Sequence, residues 1–309
     1  MDNQEVGIDR LAKAAESFIK QERWSRRWTN LLKFAVIAYI VIMLALLTGV
    51  MDSSNHTTST KHLAVVKIEG TIVAGGKVSA ETINSLLRDA FKSPDSVAVV
   101  IQANSGGGSP VQSALINDEI TRLKEKYDKP AYVVIEDICT SGCYYIAVAA
   151  DKIYANKGSI VGSIGVRMDT FGFTGLMEKM GIENRSMHAG THKAFINPFG
   201  EKDVEGRKFF QEKILERTHQ QFIETVRAGR GERIIETEDT YTGLVWLGDE
   251  AVKNGLIDGL GDLGYVMRDI AKVDTAQLYE SEKSLIEQLM GDISTETAYR
   301  LSMMLTGMK

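Results

Sequence analysis

SVAVVIQANSGGGSP, residues 96–110, is a continuous apolar run that empties into a polar, glycine-rich turn. The run is short, rich in β-branched residues and without a polar face, the pattern of a strand buried on both faces. Downstream, 111–127 has helical spacing, and AYVVIED (131–137) is a second buried strand that runs out just before Ser141. A helix over 142–150 and a strand over 152–156 follow. Upstream, LAVVKIEGTIV (63–73) reads as a strand and 79–91 as a helix opened by Ser79. Strand, glycine-rich turn and helix therefore repeat, which predicts an α/β fold with parallel strands. Ligand sites in such sheets lie past the carboxyl ends of the strands, where NSGGGSP and CTSG both fall.

The chain has 309 residues, 44% hydrophobic and 25% charged, with a net charge of −5. This is globular composition, and nothing basic enough to suggest a nucleic-acid partner is present. The two cysteines, Cys139 and Cys143, are too few for a disulfide framework and lack companions for a zinc site. They read as two small apolar residues packed near a helix start, with a redox role as the alternative.

Residues 34–51, FAVIAYIVIMLALLTGVM, contain no charge, and Leu31 and Leu32 extend them. At about 1.5 Å per residue this stretch roughly matches a hydrocarbon core of about 30 Å. Lys20, Arg23, Arg26, Arg27 and Lys33 precede it, and only Lys61 is basic between 52 and 62. The positive-inside rule then places the N-terminus in the cytoplasm and the rest of the chain outside it. The expected organisation is a cytoplasmic segment (1–30), a transmembrane helix (31–51), a polar tether (52–62), a folded domain (63–272) and a C-terminal helical segment (273–309). Glu201–Arg227 is a long charged amphipathic stretch within the domain, and 284–304 is a second amphipathic stretch suited to packing or an oligomer contact.

Several motifs fail on context. GLGDLG (259–264) resembles a dinucleotide-binding turn, but no second strand follows to complete a βαβ unit. GTIVAGGK (70–77) misses phosphate-loop spacing. H-E-x-x-H and G-x-S-x-G are absent. Of five histidines, His56 and His62 fall in the tether, while His188 and His192 sit in a loop, HAGTH, where i,i+4 spacing does not make a metal pair. No metal or cofactor is expected.

Ser141, at the head of the 142–150 helix, is open to two readings: a helix cap or a nucleophile. A serine nucleophile needs a base, either histidine or a desolvated lysine, and an oxyanion hole of backbone N–H groups.

Five blocks in order bear on this choice: NSGGGS (104–109), SGCYYIA (141–147), GSIGV (162–166), HKAFINPF (192–199) and WLGDEAVKNGLIDGLGDL (246–263). Together they resemble the SppA (protease IV, signal peptide peptidase) family of membrane-bound serine proteases with a Ser-Lys dyad, over roughly residues 63–272. The resemblance implies a ClpP/crotonase-like fold of repeated ββα units. It implies Ser141 as nucleophile, Lys193 as general base and Ser163 as orienter of the lysine amine. The N–H groups of Gly108 and Gly142 would form the oxyanion hole, with Gly107 shaping the turn. It further implies a bacterial inner-membrane protein with an extracytoplasmic protease domain, a ring or dome of identical subunits, and peptide substrates such as remnant signal peptides or misfolded exported chains. Two departures bear on substrate preference: Gly106 replaces the family's proline, and Cys143 replaces its second glycine, putting a thiol beside the site. A silent scaffold of the same fold and a crotonase-like acyl-CoA enzyme are the alternatives.

Overall fold

The computed structural model describes residues 31–41, 43 and 60–280. The chain divides into two units, residues 1–59 and 60–309. In the first, residues 31–41 are helical and exposed. The rest of the expected membrane span, the N-terminal segment and the 284–304 stretch lie outside the described residues. Among the described residues no helix is long and apolar enough to cross a membrane.

The second unit is a mixed α/β sheet covered by helices. Its strands are β1 (His62–Glu69), β2 (Ser96–Ser105), β3 (Ala131–Thr140), β4 (Lys152–Ala155), β5 (Ile160–Gly162), β6 (Val245–Leu247), β7 (Gly259–Leu260) and β8 (Ala276–Tyr279). The main order is β6-β5-β3-β2-β1-β8, with β4 joined to β3 and β7. Every pairing is parallel except β5–β6. The edge strand β8 pairs with β1, so the sheet extends beyond residue 272. His62 is part of β1 rather than of a tether: it is buried, and its ring bonds the Thr60 carbonyl and the Tyr279 hydroxyl.

Its α-helices of six residues or more, among the described residues, are α1 (Ala80–Lys92), α2 (Pro110–Tyr127), α3 (Gly142–Ala147), α4 (Thr174–Met180), α5 (Val204–Phe210), α6 (Glu216–Arg230) and α7 (Gly248–Lys253). Serine and aspartate set several starts. The Ser79 hydroxyl accepts from the Thr82 N–H, Ser109 accepts from Gln112, and Asp203 accepts from Gly206. Each satisfies an amide that the first turn leaves without a partner. A π-helical turn (Gln211–Leu215) joins α5 to α6, so the predicted long helix is real but not uniformly α-helical. GLGDLG makes a strand-to-helix turn at β7.

The larger core lies between one sheet face and the helices. Ile83, Leu87, Ile116, Ile120, Tyr144, Phe222 and Val226 meet Val66, Ile101, Val133 and Ile135 there. A smaller cluster on the other face contains Leu63, Val100, Tyr154 and Val266. Arg230 is 1% exposed and gives Nη1 to Asp258 Oδ2 at 2.7 Å and Nε to the Gly255 carbonyl at 2.9 Å. Burial pushes the Asp258 carboxyl up, but the hydrogen bond and charge of Arg230 outweigh it and hold it below its ordinary value.

The sheet forks at β3. Residues 132–135 pair with β4, and residues 138–140 pair with β5. The predicted strand end at Asp137 is therefore an interior point of a longer strand. The exposed Glu136 and Asp137 mark the fork, where the Ser159 hydroxyl donates to the Glu136 carbonyl. The candidate site turns gather at the far end of this fork.

Candidate active site

Register brings the two candidate serines together. Thr140 pairs with Gly162, so the residues that follow, Ser141 and Ser163, leave adjacent strands side by side. The Ser141 N–H donates to the Gly162 carbonyl at 2.9 Å, and the Ser163 N–H donates to the Leu244 carbonyl at 2.7 Å. Both have left-handed φ, +54° and +52°, and they are two of the four non-glycine residues with positive φ among the described residues. Such a backbone costs about 1–3 kcal/mol and persists only where its surroundings fix it.

Ser141 stands at the N-cap position of α3, yet its side chain makes no capping bond. It thus occupies the place of a cap without doing a cap's work. The Tyr145 N–H donates to the Ser141 carbonyl at 3.0 Å, and the hydroxyl itself is left for the cleft.

The glycine turn lies against this elbow. A Cβ on Gly107 (φ +96°) would sit 2.7 Å from both Gly142 N and the Thr140 carbonyl oxygen. A Cβ on Gly108 would sit 2.0 Å from the Ile72 carbonyl oxygen, and one on Gly142 would sit 2.5 Å from Ser113 Oγ. Only glycine allows the two turns to approach so closely. The Ser105 hydroxyl braces the turn by accepting from the Gly107 N–H and donating to the Gly70 carbonyl. The Gly108 and Gly142 amides donate to no acceptor among the described residues. Two free N–H groups from facing turns, beside a serine hydroxyl, are the elements of an oxyanion hole.

These residues open into a cleft of about 1050 Å³. Sequence reasoning missed much of its wall: Val111 and Leu115 on α2, Tyr145 on α3 and Phe222 on α6. Val111 and Leu115 are exposed and one helical turn apart, an apolar pair on an otherwise solvent-facing stretch. Tyr145 and Phe222 meet ring to ring at 5.1 Å, and the Tyr145 hydroxyl accepts from Thr225 Oγ1. His219 Nε2 lies 3.0 Å from the Ile164 carbonyl oxygen and ties α6 to the GSIG turn.

Lys193 is placed differently. It lies in an exposed turn, is not part of the cleft lining, and its side chain has no partner among the described residues. The turn itself is well anchored. His192 Nδ1 is 2.8 Å from Asp203 Oδ2, and Phe195 packs on Phe210 with ring centroids 5.5 Å apart. Among the described residues a Ser–Lys contact is made elsewhere: Lys129 Nζ lies 2.6 Å from Ser96 Oγ. There the ammonium also donates to the Phe91 and Ser93 carbonyls at the end of α1. Burial lowers the Lys129 pKa, but with three acceptors around it the group is a helix-end clasp.

The cysteines are not two independent apolar residues. Both are buried, as expected, but they are joined as a disulfide across Ser141, with Cα atoms 5.1 Å apart. Four-residue spacing did not suggest this, because it does not reveal that the chain doubles back at Ser141.

Residues 123–277 match peptidase family S49. The chain belongs to this family. The match includes Ser141, Ser163 and Lys193. The Na(+)/H(+) antiporter NhaA of Brucella melitensis is 36% identical over 244 residues, 76% of this chain and 33% of that protein. Protease 4 of Haemophilus influenzae is 32% identical over 219 residues, 70% of this chain and 35% of that protein. The chain thus spans about a third of the length of these relatives. Among solved structures, a membrane-bound stomatin-specific protease in complex with a substrate peptide has a TM-score of 0.44 and 13% identity. That likeness covers 76% of this chain and 99% of the other.

Proposed function

We propose that the protein is a membrane-anchored serine endopeptidase in which Ser141 attacks the scissile carbonyl. The observation that carries this reading is the Ser141 elbow: a strained serine at a helix start, free of any capping bond, facing the unpaired amides of Gly108 and Gly142. Attack would give a tetrahedral oxyanion held by those two N–H groups. Collapse would release the amine and leave an acyl-enzyme for water to hydrolyse. Lys193 is the proposed base and then the acid for the leaving amine, with Ser163 orienting its Nζ.

A lysine serves as base only when desolvated. Lys193 is exposed in the single chain, so enclosure against the cleft of a neighbouring subunit is the arrangement that would meet this condition. A ring or dome of identical subunits, each lending its 190–197 turn to the next, follows. The apolar wall of Val111, Leu115, Tyr145 and Phe222 favours extended apolar peptides, such as remnant signal peptides and misfolded exported chains. The 31–51 segment would hold the domain at the outer face of a bacterial inner membrane, with the N-terminus in the cytoplasm. The fold would be of the ClpP/crotonase type.

Purified full-length protein should cleave a fluorogenic apolar peptide and take up a fluorophosphonate, and Ser141→Ala and Lys193→Ala should each do neither. Assemblies mixed from the two inactive variants should regain part of the activity. A fully active Lys193→Ala protein would remove lysine from the mechanism, and no regain in a verified mixed assembly would place both groups in one subunit.

A further inference from the structure

We infer that the Cys139–Cys143 disulfide is a positioning element for Ser141, so that the oxidation state of the pair sets the geometry of the nucleophile. Its consequence for turnover rests on the peptidase reading above; its consequence for the turn does not.

The two cysteines stand symmetrically about the serine, two residues to either side. Cys139 is the anchored end. It pairs with Ser105 of β2 and Val161 of β5, and its side chain is fully buried. Cys143 lies in the first turn of α3 and is 1% exposed. An extended chain would separate residues four apart by roughly 13 Å, at about 3.3 Å per residue. Here their Cα atoms are 5.1 Å apart, within the usual range for a disulfide. The chain must reverse between them, and it reverses at the central residue, which carries the φ of +54°. Closing the bond therefore selects conformations in which Ser141 is the hinge.

Few other forces hold that hinge. Among the described residues, the Ser141 N–H and carbonyl make one backbone bond each, and the hydroxyl makes none. Two thiols cannot occupy bonding distance, so in the reduced pair the sulfurs must separate within a packed interior. Both cysteines belong to the larger core, and the glycine turn lies against the elbow between them, where Gly107 already meets Thr140, Ser141 and Gly142. Movement of the elbow would then shift the serine relative to the Gly108 N–H.

The chemistry is thiol–disulfide exchange. The two thiols lose two protons and two electrons, and a low-molecular-weight disulfide such as oxidised glutathione accepts them and becomes two thiols. Because both sulfurs are buried, exchange requires the elbow to open, so the bond is set during folding and changes slowly afterwards. A protease acting outside the cytoplasm would thereby gain its nucleophile geometry only on reaching an oxidising compartment.

The test equilibrates the full-length protein in glutathione buffers of stepped redox poise. In each, Cys139 and Cys143 are counted by alkylation and mass, kcat and KM are measured on the apolar peptide, and amide exchange is followed over 139–147. As the pair goes from disulfide to dithiol, kcat should fall about tenfold or more, since an ångström of misplacement can cost about a hundredfold. KM should change less than kcat, because Val111, Leu115 and Phe222 of the apolar wall lie outside the 139–147 elbow. Exchange over 139–147 should rise, and both changes should reverse in oxidised glutathione. A Cys139→Ala, Cys143→Ala double variant should show the low kcat at every poise; if it does not fold, the wild-type titration decides alone. Unchanged exchange in the verified dithiol, unchanged kcat there, or a pair that stays reduced at the most oxidising poise would each overturn the inference. Faster exchange on reduction in a protein that cuts no peptide in either state would leave the lock standing and remove the peptidase reading.

Discussion

Two strand-to-helix junctions lie next to each other at the carboxyl end of the sheet, and each carries a serine at the N-cap position. At the β2–α2 junction, Ser109 has an ordinary extended backbone (φ −60°, ψ 122°), accepts from the Gln112 N–H and is followed by Pro110 at the first helical position. At the β3–α3 junction, Ser141 has φ +54° and ψ −125° and caps nothing. Ser109 lowers the energy of its junction; Ser141 sits in a costly conformation that its neighbours impose. The same residue at the same formal position is structural in one case and available for chemistry in the other. The difference is not in the serine but in the backbone that carries it.

The largest effect that would break this contrast is on turnover. Ser141→Ala should lower kcat by at least about 10³-fold, in line with loss of a serine nucleophile elsewhere. It should leave the thermal midpoint nearly unchanged, because the hydroxyl makes no capping bond. A drop in stability comparable to that of a lost cap would show that Ser141 is a cap after all. Next in size is Gly107→Ala. Its Cβ would meet backbone atoms of Thr140 and Gly142 at 2.7 Å, so the glycine turn must move away from the elbow. Loss of one such donor costs about 10²–10³ in kcat. Turnover close to wild type would mean that the Gly108 amide is not part of the hole.

Ser109→Ala provides the opposite result. It should cost about 1 kcal/mol of stability, as lost caps do, measured by denaturant unfolding. Its effect on kcat should be small, since the Ser109 hydroxyl is engaged with Gln112. If Ser109→Ala impairs turnover as strongly as Gly107→Ala, the α2 start participates in the site and the two junctions are not distinct.

This contrast explains what could be read from the residues alone. Strands β1 to β3 were legible because strands buried on both faces leave continuous apolar runs, and the glycine turns marked their carboxyl ends. Ser79 was legible as a cap, and Ser109 as part of the glycine-rich turn, because local chemistry governs them. Strand β3 was read as ending at Asp137, three residues short, because Glu136 and Asp137 break the apolar pattern at the fork. The Cys139–Cys143 bond was not legible, since it depends on a reversal that spacing does not encode. The cleft wall was missed because Val111, Leu115, Tyr145 and Phe222 come from three helices that only the fold brings together. Lys193 could be singled out by resemblance, but its turn lies in a long segment with one short helix, α4, and no sheet register to place it.

The smallest expected effect concerns that turn and sharpens the same distinction between a braced element and an exposed one. His192 and Asp203 join the Lys193 turn to the start of α5. The Asp203 bond raises the His192 pKa, while the Gly206 N–H and then His192 lower that of Asp203. A histidine with a raised folded pKa contributes stability that is complete below its unfolded value, about 6.5, and is lost as pH rises through the folded value. An aspartate with a lowered folded pKa contributes above its unfolded value, about 3.9, and loses that contribution as pH falls through the folded value. The tie is therefore strongest between those limits and weakens on the alkaline side. Amide exchange over 190–195 should be faster near pH 8.5 than near pH 6 after correction for intrinsic rates, and His192→Ala should abolish that difference. Equal protection at both pH values in the wild type would show that the packing of Phe195 on Phe210 holds the turn without the ion pair.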